Sequence, residues 1–484
     1  MLDILMIFPR PSETSPQKNP PLSIFYPGEA AARQGFQVEY WDERVDSWPD
    51  LKEKALRAGV FGISSLSGFM LSRTIELLKW CKREHPDKPT ILGGVHATFL
   101  PENCLQENYV DYVVLGEGED RLPKLLQAMQ SKISFEEVDG IGWKENGKIR
   151  INPRTKVFDF QNAYVSPLSE RTEKYFKIAA KRNEVILPIS RGCPWANNKR
   201  ACSFCSVRDQ YLGTYRFVLP EKWIADLECI YKIHPFTSIE MEDENSVHFV
   251  TSIEYAAALK HKDIKHHLHL RADQLQNEET VRRLAENGCN RIHVGVESGN
   301  DRVRNEIYHK GEEAKCFTKA SSLLAKYGIE GVYTYVIGAP TETKAEMIQT
   351  LELTDKLSCL HPKGKSRSTV YVLMALPGTD IFIEAQKAGW WFPKTMEEWS
   401  KVSAAYNPTL PAEMNNVYLV AGLHHNWYHK TRQNFPGKWR LAILPFQALV
   451  EFRWKLKFFK FFAVEKFIIE KLIHWRSRQS TGQK

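Results

Sequence analysis

Residues 190–205 read Ser190-Arg-Gly-Cys193-Pro-Trp-Ala-Asn-Asn-Lys-Arg-Ala-Cys202-Ser-Phe-Cys205. They follow Glu184-Val-Ile-Leu-Pro-Ile, an apolar run that reads as a strand, so three thiols converge on a loop at a strand's carboxyl end. Three thiolates could hold a structural zinc, but such sites are closed and four-coordinate, and no fourth Cys or His stands at finger spacing. Three thiolates can instead hold three irons of a [4Fe–4S] cluster and leave the fourth iron open to a substrate. The other six cysteines, Cys81, Cys104, Cys229, Cys289, Cys316 and Cys359, are scattered, which argues against a disulfide scaffold.

Downstream of this loop, strand-like segments recur at Ser238 to Met241, His267 to Leu270, Arg291 to Val296, Gly331 to Ile337 and Ser368 to Leu373, each separated by a helix-length segment. About six strand–helix units fit a partial (β/α)6 barrel of the TIM type, whose chemistry belongs at the carboxyl ends of the strands. Upstream, Leu2 to Phe8, Gln37 to Trp41, Val60 to Ser65, Thr90 to Gly94 and Asp111 to Gly116 alternate with helical patterns such as Leu71 to Glu84. That alternation predicts a doubly wound, Rossmann-like parallel sheet. The expected division is residues 1–160, 161–400 and a helical, basic 401–484, the fold class being α/β.

At 484 residues with 43% hydrophobic and 26% charged residues, the chain has the length for several cores and lacks the composition of a disordered protein. Its net charge of +8 suggests nucleic acid, yet Pro436 to Lys484 holds 11 Lys/Arg against 3 Asp/Glu, so the whole excess sits in the tail and no recognition motif accompanies it. No uncharged apolar run approaches the roughly 20 residues that span a bilayer, and the start has no basic signal-like region, so a cytoplasmic location is expected.

The cysteine loop and the motifs after it resemble the radical S-adenosylmethionine (SAM) enzymes. The resemblance implies a [4Fe–4S] cluster on Cys193, Cys202 and Cys205 whose open iron is chelated by SAM. It implies SAM contacts from Phe204 between the last two cysteines and from Glu242-Asp243-Glu244 after the second barrel strand. Arg271 follows the third strand, Glu297 and Ser298 of Gly-Val-Glu-Ser-Gly end the fourth, and Gly338 and Pro377-Gly378-Thr379 lie at later strand ends. Taken singly, a Gly-Val-Glu-Ser-Gly or Pro-Gly-Thr is ordinarily a turn and an acidic triplet is ordinarily solvated; in order, one per strand end, they reinforce one another. The spacer of eight residues between Cys193 and Cys202 departs from the family's common C-x3-C-x2-C. Longer spacers of this kind resemble a branch that includes peptide-modifying methyltransferases.

The first domain lacks the G-x-G-x-x-G dinucleotide fingerprint after its first strand. Asn19-Pro-Pro-Leu22, Gly62-Ile-Ser64-Ser65, Gly93-Gly94-Val-His96 and Gly116-Glu117-Gly-Glu119 instead resemble, in order, the cobalamin-binding domain found upstream of one radical SAM class. The resemblance implies cobalamin contacts from Leu22, Ser64, Ser65, Gly93, Gly94, His96, Gly116 and Glu117. The Asp-x-His-x-x-Gly motif that supplies a cobalt-ligating histidine is absent, so the lower face is expected to meet the loop after Ser65, at Leu66 or Phe69.

The resemblance therefore implies a cobalamin-dependent radical SAM methyltransferase acting on an unactivated carbon of a peptide or other natural product, with an electron donor such as flavodoxin or ferredoxin. The alternatives are a non-methylating enzyme of the same cofactors (cyclisation, ring contraction or oxidation) and a cobalamin-binding regulator or carrier. The segment Trp454 to Trp475 interleaves lysines with Phe, Ile and Trp. It reads as a helix packed on the barrel or as one lying on an anionic membrane surface.

Overall fold

The computed structural model describes residues 2–11, 19–197, 201–362, 364–402, 448–449, 452–453 and 455–456. The expected helical region 401–484, with its amphipathic tail, lies almost wholly outside the described residues.

The first sheet has seven strands: β1 Leu2–Phe8, β2 Val38–Asp42, β3 Ala58–Ser64, β4 Thr90–Gly93, β5 Tyr112–Val114, β6 Ile141–Glu145 and β7 Lys148–Ile151. Their order is β2-β1-β3-β4-β5-β6-β7. The first five pair in parallel, which is why they read as continuous apolar runs buried on both faces. The chain leaves β1 outward to β2 and returns past β1 to β3. That reversal opens a crevice at the carboxyl ends of β1 and β3, where doubly wound sheets take their ligands. Residues 141–151, for which no strand was expected within the first domain, form an antiparallel hairpin that extends the sheet. Asn146 and Gly147 both adopt positive φ at its turn, and the Asn-Gly pair was the available signal.

The later strands are β8 Glu184–Ile186, β9 Ser190–Gly192, β10 Tyr215–Phe217, β11 Ser238–Glu240, β12 Lys265–Leu270, β13 Cys289–Glu297, β14 Glu330–Ile337 and β15 Ser366–Val372. Six of them have the order β15-β14-β13-β12-β11-β8, a curled parallel half-barrel sheet, as the six strand–helix units predicted. The segment expected as one strand from Glu184 to Ser190 is divided: β8 joins the half-barrel, whereas β9 pairs antiparallel with β10. Pro188, which has no N–H to donate, stands between the two pieces.

The described residues up to 402 fall into two compact units, those within 2–197, 206–244 and 392–402, and those within 201–205 and 245–391. The first unit takes in β8 to β11 as well as the seven-stranded sheet, a different division from the one expected near residue 160.

Candidate functional site

In the first unit, a cavity of about 610 Å³ opens at the carboxyl ends of β1, β3, β4 and β5. Leu22, Ser64, Ser65, Gly93, Gly94, Gly116 and Glu117 all line it, joined by Leu66. Glycines at strand ends let the backbone itself form the wall. A Cβ on Gly93 would meet nothing nearer than backbone oxygens at 3.9 Å, so the space beside it belongs to the cavity. Gly94 has φ +91°, and a Cβ there would lie 2.5 Å from the Ser65 carbonyl. A wide crevice walled mainly by bare backbone, apolar side chains and hydroxyls, with charge from Arg44, Glu117, Glu119, Arg191 and Glu242, fits a large, mostly neutral macrocycle with amide arms.

His96 is placed differently from the other expected contacts. It is buried behind the cavity wall, its Nδ1 2.9 Å from the Ser67 hydroxyl and its ring edge-on to Trp399, and it is not among the lining residues. Burial lowers its pKa to about 4, so the ring is neutral at ordinary pH.

The far side of the cavity comes from residues that sequence reading did not single out: Ile186, Pro188, Arg191, Gln210 and Tyr211, together with Glu242. Arg191, on β9 two residues before Cys193, donates to Glu117 at 2.8 Å and to Glu119 at 2.6 Å while lying over the rings of Tyr26 and Phe160. Arg216, on β10, also donates to Glu117 at 2.9 Å. Burial pushes the Glu117 carboxyl up, but the two guanidinium groups outweigh it and hold it below its ordinary value. The expected polar contact of Glu117 is thus engaged by protein cations. An arginine inside an otherwise apolar strand end was the only available signal for Arg191.

Of the acidic triplet, Glu242 lines the cavity with the strained φ of +46°, whereas Asp243 and Glu244 turn toward the backbone that leads into the cysteine loop. Asp243 accepts from the N–H groups of Ile189 at 2.9 Å and Ser190 at 2.8 Å, and Glu244 from Gly192 at 3.1 Å. Burial raises both carboxyls.

In the second unit, the expected residues stand at successive strand ends. Arg271 follows β12 and donates to Asp273 and to the carbonyl of Lys310, both at 2.9 Å. Glu297 ends β13 at φ +63° and pairs with Lys310 at 3.0 Å. Ser298 is enclosed, its hydroxyl 3.0 Å from that of Thr350. Gly338 follows β14 and donates to Glu342 at 2.6 Å. Pro377 and Gly378 form the turn after β15, and Thr379 caps the helix Asp380–Lys387 by accepting from Phe382 at 3.3 Å. Phe204 packs edge-on against Tyr308 with centroids 5.1 Å apart, and Ser203 donates to the Tyr308 carbonyl.

Lys310 was missed because it sits on a stretch that reads as solvated. Its burial works against its charge, yet Glu297, the Cys202 thiol and Glu312 hold it above its ordinary value. Two cations and the carboxylates of Glu297, Glu312 and Asp273 therefore converge beside Cys202, a charged cluster whose mixed signs suit a zwitterionic ligand head.

The three expected ligands fit a cluster by their chemistry. Cys193, Cys202 and Cys205 are all partly exposed. Cys81 and Cys104 are buried, and burial raises their thiols out of the reactive range. Cys202 and Cys205 share a tight turn, with the Cys205 N–H donating to the Cys202 carbonyl at 3.0 Å.

A B12 binding domain model matches residues 12–126 and a radical SAM superfamily model matches residues 187–354. An uncharacterized methyltransferase of Pyrococcus horikoshii is 26% identical over 374 residues, 74% of this chain and 78% of that protein. An anaerobic magnesium-protoporphyrin IX monomethyl ester cyclase of Rubrivivax gelatinosus is 26% identical over 319 residues, 63% of this chain and 55% of that protein. The cobalamin-dependent radical SAM enzyme OxsB, with aqua-cobalamin and SAM bound, shares the fold at a TM-score of 0.66 and 20% identity, covering 80% of this chain and 61% of that one.

The fold and the two domain matches define a radical SAM enzyme. A B12 binding domain thus precedes a radical SAM domain, and the cofactors are cobalamin, SAM and a [4Fe–4S] cluster. Such an enzyme also needs a reductant and a substrate. Among the described residues no helix is long and apolar enough to cross a membrane.

Proposed function

We propose that the protein is a methyltransferase that places a methyl group on an unactivated carbon of a peptide or other natural product. The observation that carries this reading is the composition of the cavity wall: the strand ends of a cobalamin-type sheet on one side, and on the other Arg191 of the strand that leads into the cysteine loop, with Tyr211 and Glu242. When bound, the cluster supplies the electron that cleaves SAM, and cobalamin supplies the methyl group.

The residues divide the work. Cys193, Cys202 and Cys205 hold the cluster, while Arg271, Glu297 and Lys310 orient the charged head of SAM. Phe204, Ser298, Gly338, Pro377, Gly378 and Thr379 line the path of its adenosyl part. Asp243 and Glu244 hold the backbone on which Cys193 is mounted, through the N–H groups of Ile189, Ser190 and Gly192. Gly93 and Gly94 admit the corrin to the backbone, and no side-chain general base is assigned. The electron donor is a flavodoxin or ferredoxin. An oxygen-sensitive cluster suits the reducing cytoplasm.

The cyclase among the relatives favours a second reading, the same cofactors without methyl transfer. Anaerobic turnover with a reductant separates the two. The methyltransferase reading predicts both S-adenosylhomocysteine and 5′-deoxyadenosine from SAM, whereas 5′-deoxyadenosine alone supports the second reading.

A further inference from the structure

The loop Ser65–Gly68 leaves β3 and borders the cavity, and neighbours within the first unit hold it at three of its four residues. The Ser65 N–H donates to the Gly93 carbonyl at 3.0 Å, and its hydroxyl accepts from Thr74 at 2.9 Å. Ser67 meets Nδ1 of His96 at 2.9 Å. The Gly68 N–H donates to the carbonyl of Trp399 at 3.2 Å, from a segment more than 300 residues further along the chain. Leu66, which lines the cavity as Ser65 does, is the loop's one apolar side chain and is 49% exposed.

The segment that reaches Gly68 is itself firmly seated. Thr395 and Glu398 form a reciprocal capping box around the short helix Met396–Trp399. Glu397 pairs with Lys79 at 3.0 Å and accepts from the Tyr109 hydroxyl at 3.0 Å. Trp399 is 2% exposed and its ring lies edge-on to His96. At Gly68, φ is +89° and a Cβ would lie 2.7 Å from the Val402 carbonyl, so the segment fits only against a glycine. His96 is 2% exposed and its Nε2 has no partner, so its hydrogen bond to Ser67 is the side chain's one polar attachment among the described residues.

We infer that residues 395–402 form a latch that, through Trp399 and His96, fixes the Ser65–Gly68 loop so that Leu66 is presented to the lower face of the bound cobalamin. This rests on the cobalamin site proposed above. A leucine has no lone pair to give to cobalt in any conformation; held in place it also excludes water, whereas on a loose loop it does not. His96 and Trp399 are thus positioning residues.

The test uses the full chain loaded with cobalamin and reduced to the cob(II)alamin state, read by electron paramagnetic resonance with cobalamin occupancy measured in parallel. The wild type should give the signal of cobalt without a lower ligand. Leu66→Ala should give the water-ligated signal, and Ser67→Ala and Trp399→Leu should convert at least half of the bound cofactor to that same signal at unchanged occupancy. If Trp399→Leu does not fold, Ser67→Ala decides alone, since it removes one hydroxyl. Latch variants that keep the wild-type signal while Leu66→Ala changes it overturn the latch. An unchanged Leu66→Ala overturns the role of Leu66, and a nitrogen splitting in the wild type that His96→Ala abolishes makes His96 a ligand and overturns the inference. Failure of the wild type to bind cobalamin defeats the proposed site itself and is visible in the occupancy alone.

Discussion

Arg191 donates to the carboxylate of Glu117 across 2.8 Å, with side chains only 12% and 4% exposed. One residue belongs to the strand that ends just before Cys193 and the other to the loop after β5, so this ion pair ties the root of the cysteine loop to the cavity wall. Breaking a buried pair from one side leaves an uncompensated charge. Arg191→Gln should lower stability by about 2–3 kcal/mol, less than the full effect because Arg216 still faces Glu117. Thermal unfolding of Arg191→Gln, Glu119→Gln and the double variant checks this: the double variant should lose clearly less than the sum of the singles.

Gly93 and Gly94 adjoin in sequence but should fail differently. Gly93 has room for a side chain only in the cavity. Gly93→Leu should leave the melting temperature of cobalamin-free protein within a few degrees of wild type and weaken cobalamin binding about tenfold or more. Gly94→Ala must force a Cβ against Ser65 at positive φ, a strain of about 1–3 kcal/mol. It should lower both the melting temperature and cobalamin occupancy.

The strand alternation made both parallel sheets legible, because buried parallel strands are continuous apolar runs and need no knowledge of partners. The cysteine loop and the strand-end motifs were legible because their residues lie in short contiguous stretches. Arg191, Lys310 and Trp399 were not. Each acquires its place from a partner distant in sequence: Glu117 for Arg191, Glu297 for Lys310, and Gly68 for Trp399. His96 was misplaced for a related reason, since a strand-end motif does not say which of its side chains turn into the crevice and which turn behind it.

Glu342 gives a pH signature in the second unit. Burial raises its pKa to about 7, against the hydrogen bonds it accepts from Ala339 and Gly338; Glu346 adds to the rise and Arg302 opposes it. Below pH 4.5 both folded and unfolded states are protonated at this group. Between pH 4.5 and 7 the unfolded chain releases the proton while the folded one keeps it, so stability falls as pH rises and levels off above 7. The loss across the window is about 3 kcal/mol. Glu342→Gln should remove that slope, and the melting temperature of the variant relative to wild type should rise from pH 4.5 to 7. A constant difference across the window would refute the assignment.

Cys202→Ala should cut the iron bound after anaerobic reconstitution to well under half and abolish 5′-deoxyadenosine formation, because a cluster with two protein thiolates is not held. Cobalamin occupancy should be unchanged, since Cys202 is not part of the cavity wall. Iron analysis and chromatography of the nucleoside product check both halves.

The central claim is that this chain methylates by way of its bound cobalamin, and it is tested most directly by following the methyl group of SAM. The fully reconstituted protein is reduced, incubated anaerobically with SAM carrying a deuterated methyl group, and its cobalamin is released and weighed by mass spectrometry. The account predicts that most of the bound cobalamin carries the deuterated methyl group and that S-adenosylhomocysteine appears with it. Cobalamin that stays unlabelled while 5′-deoxyadenosine accumulates would contradict the account and assign the protein to the non-methylating enzymes.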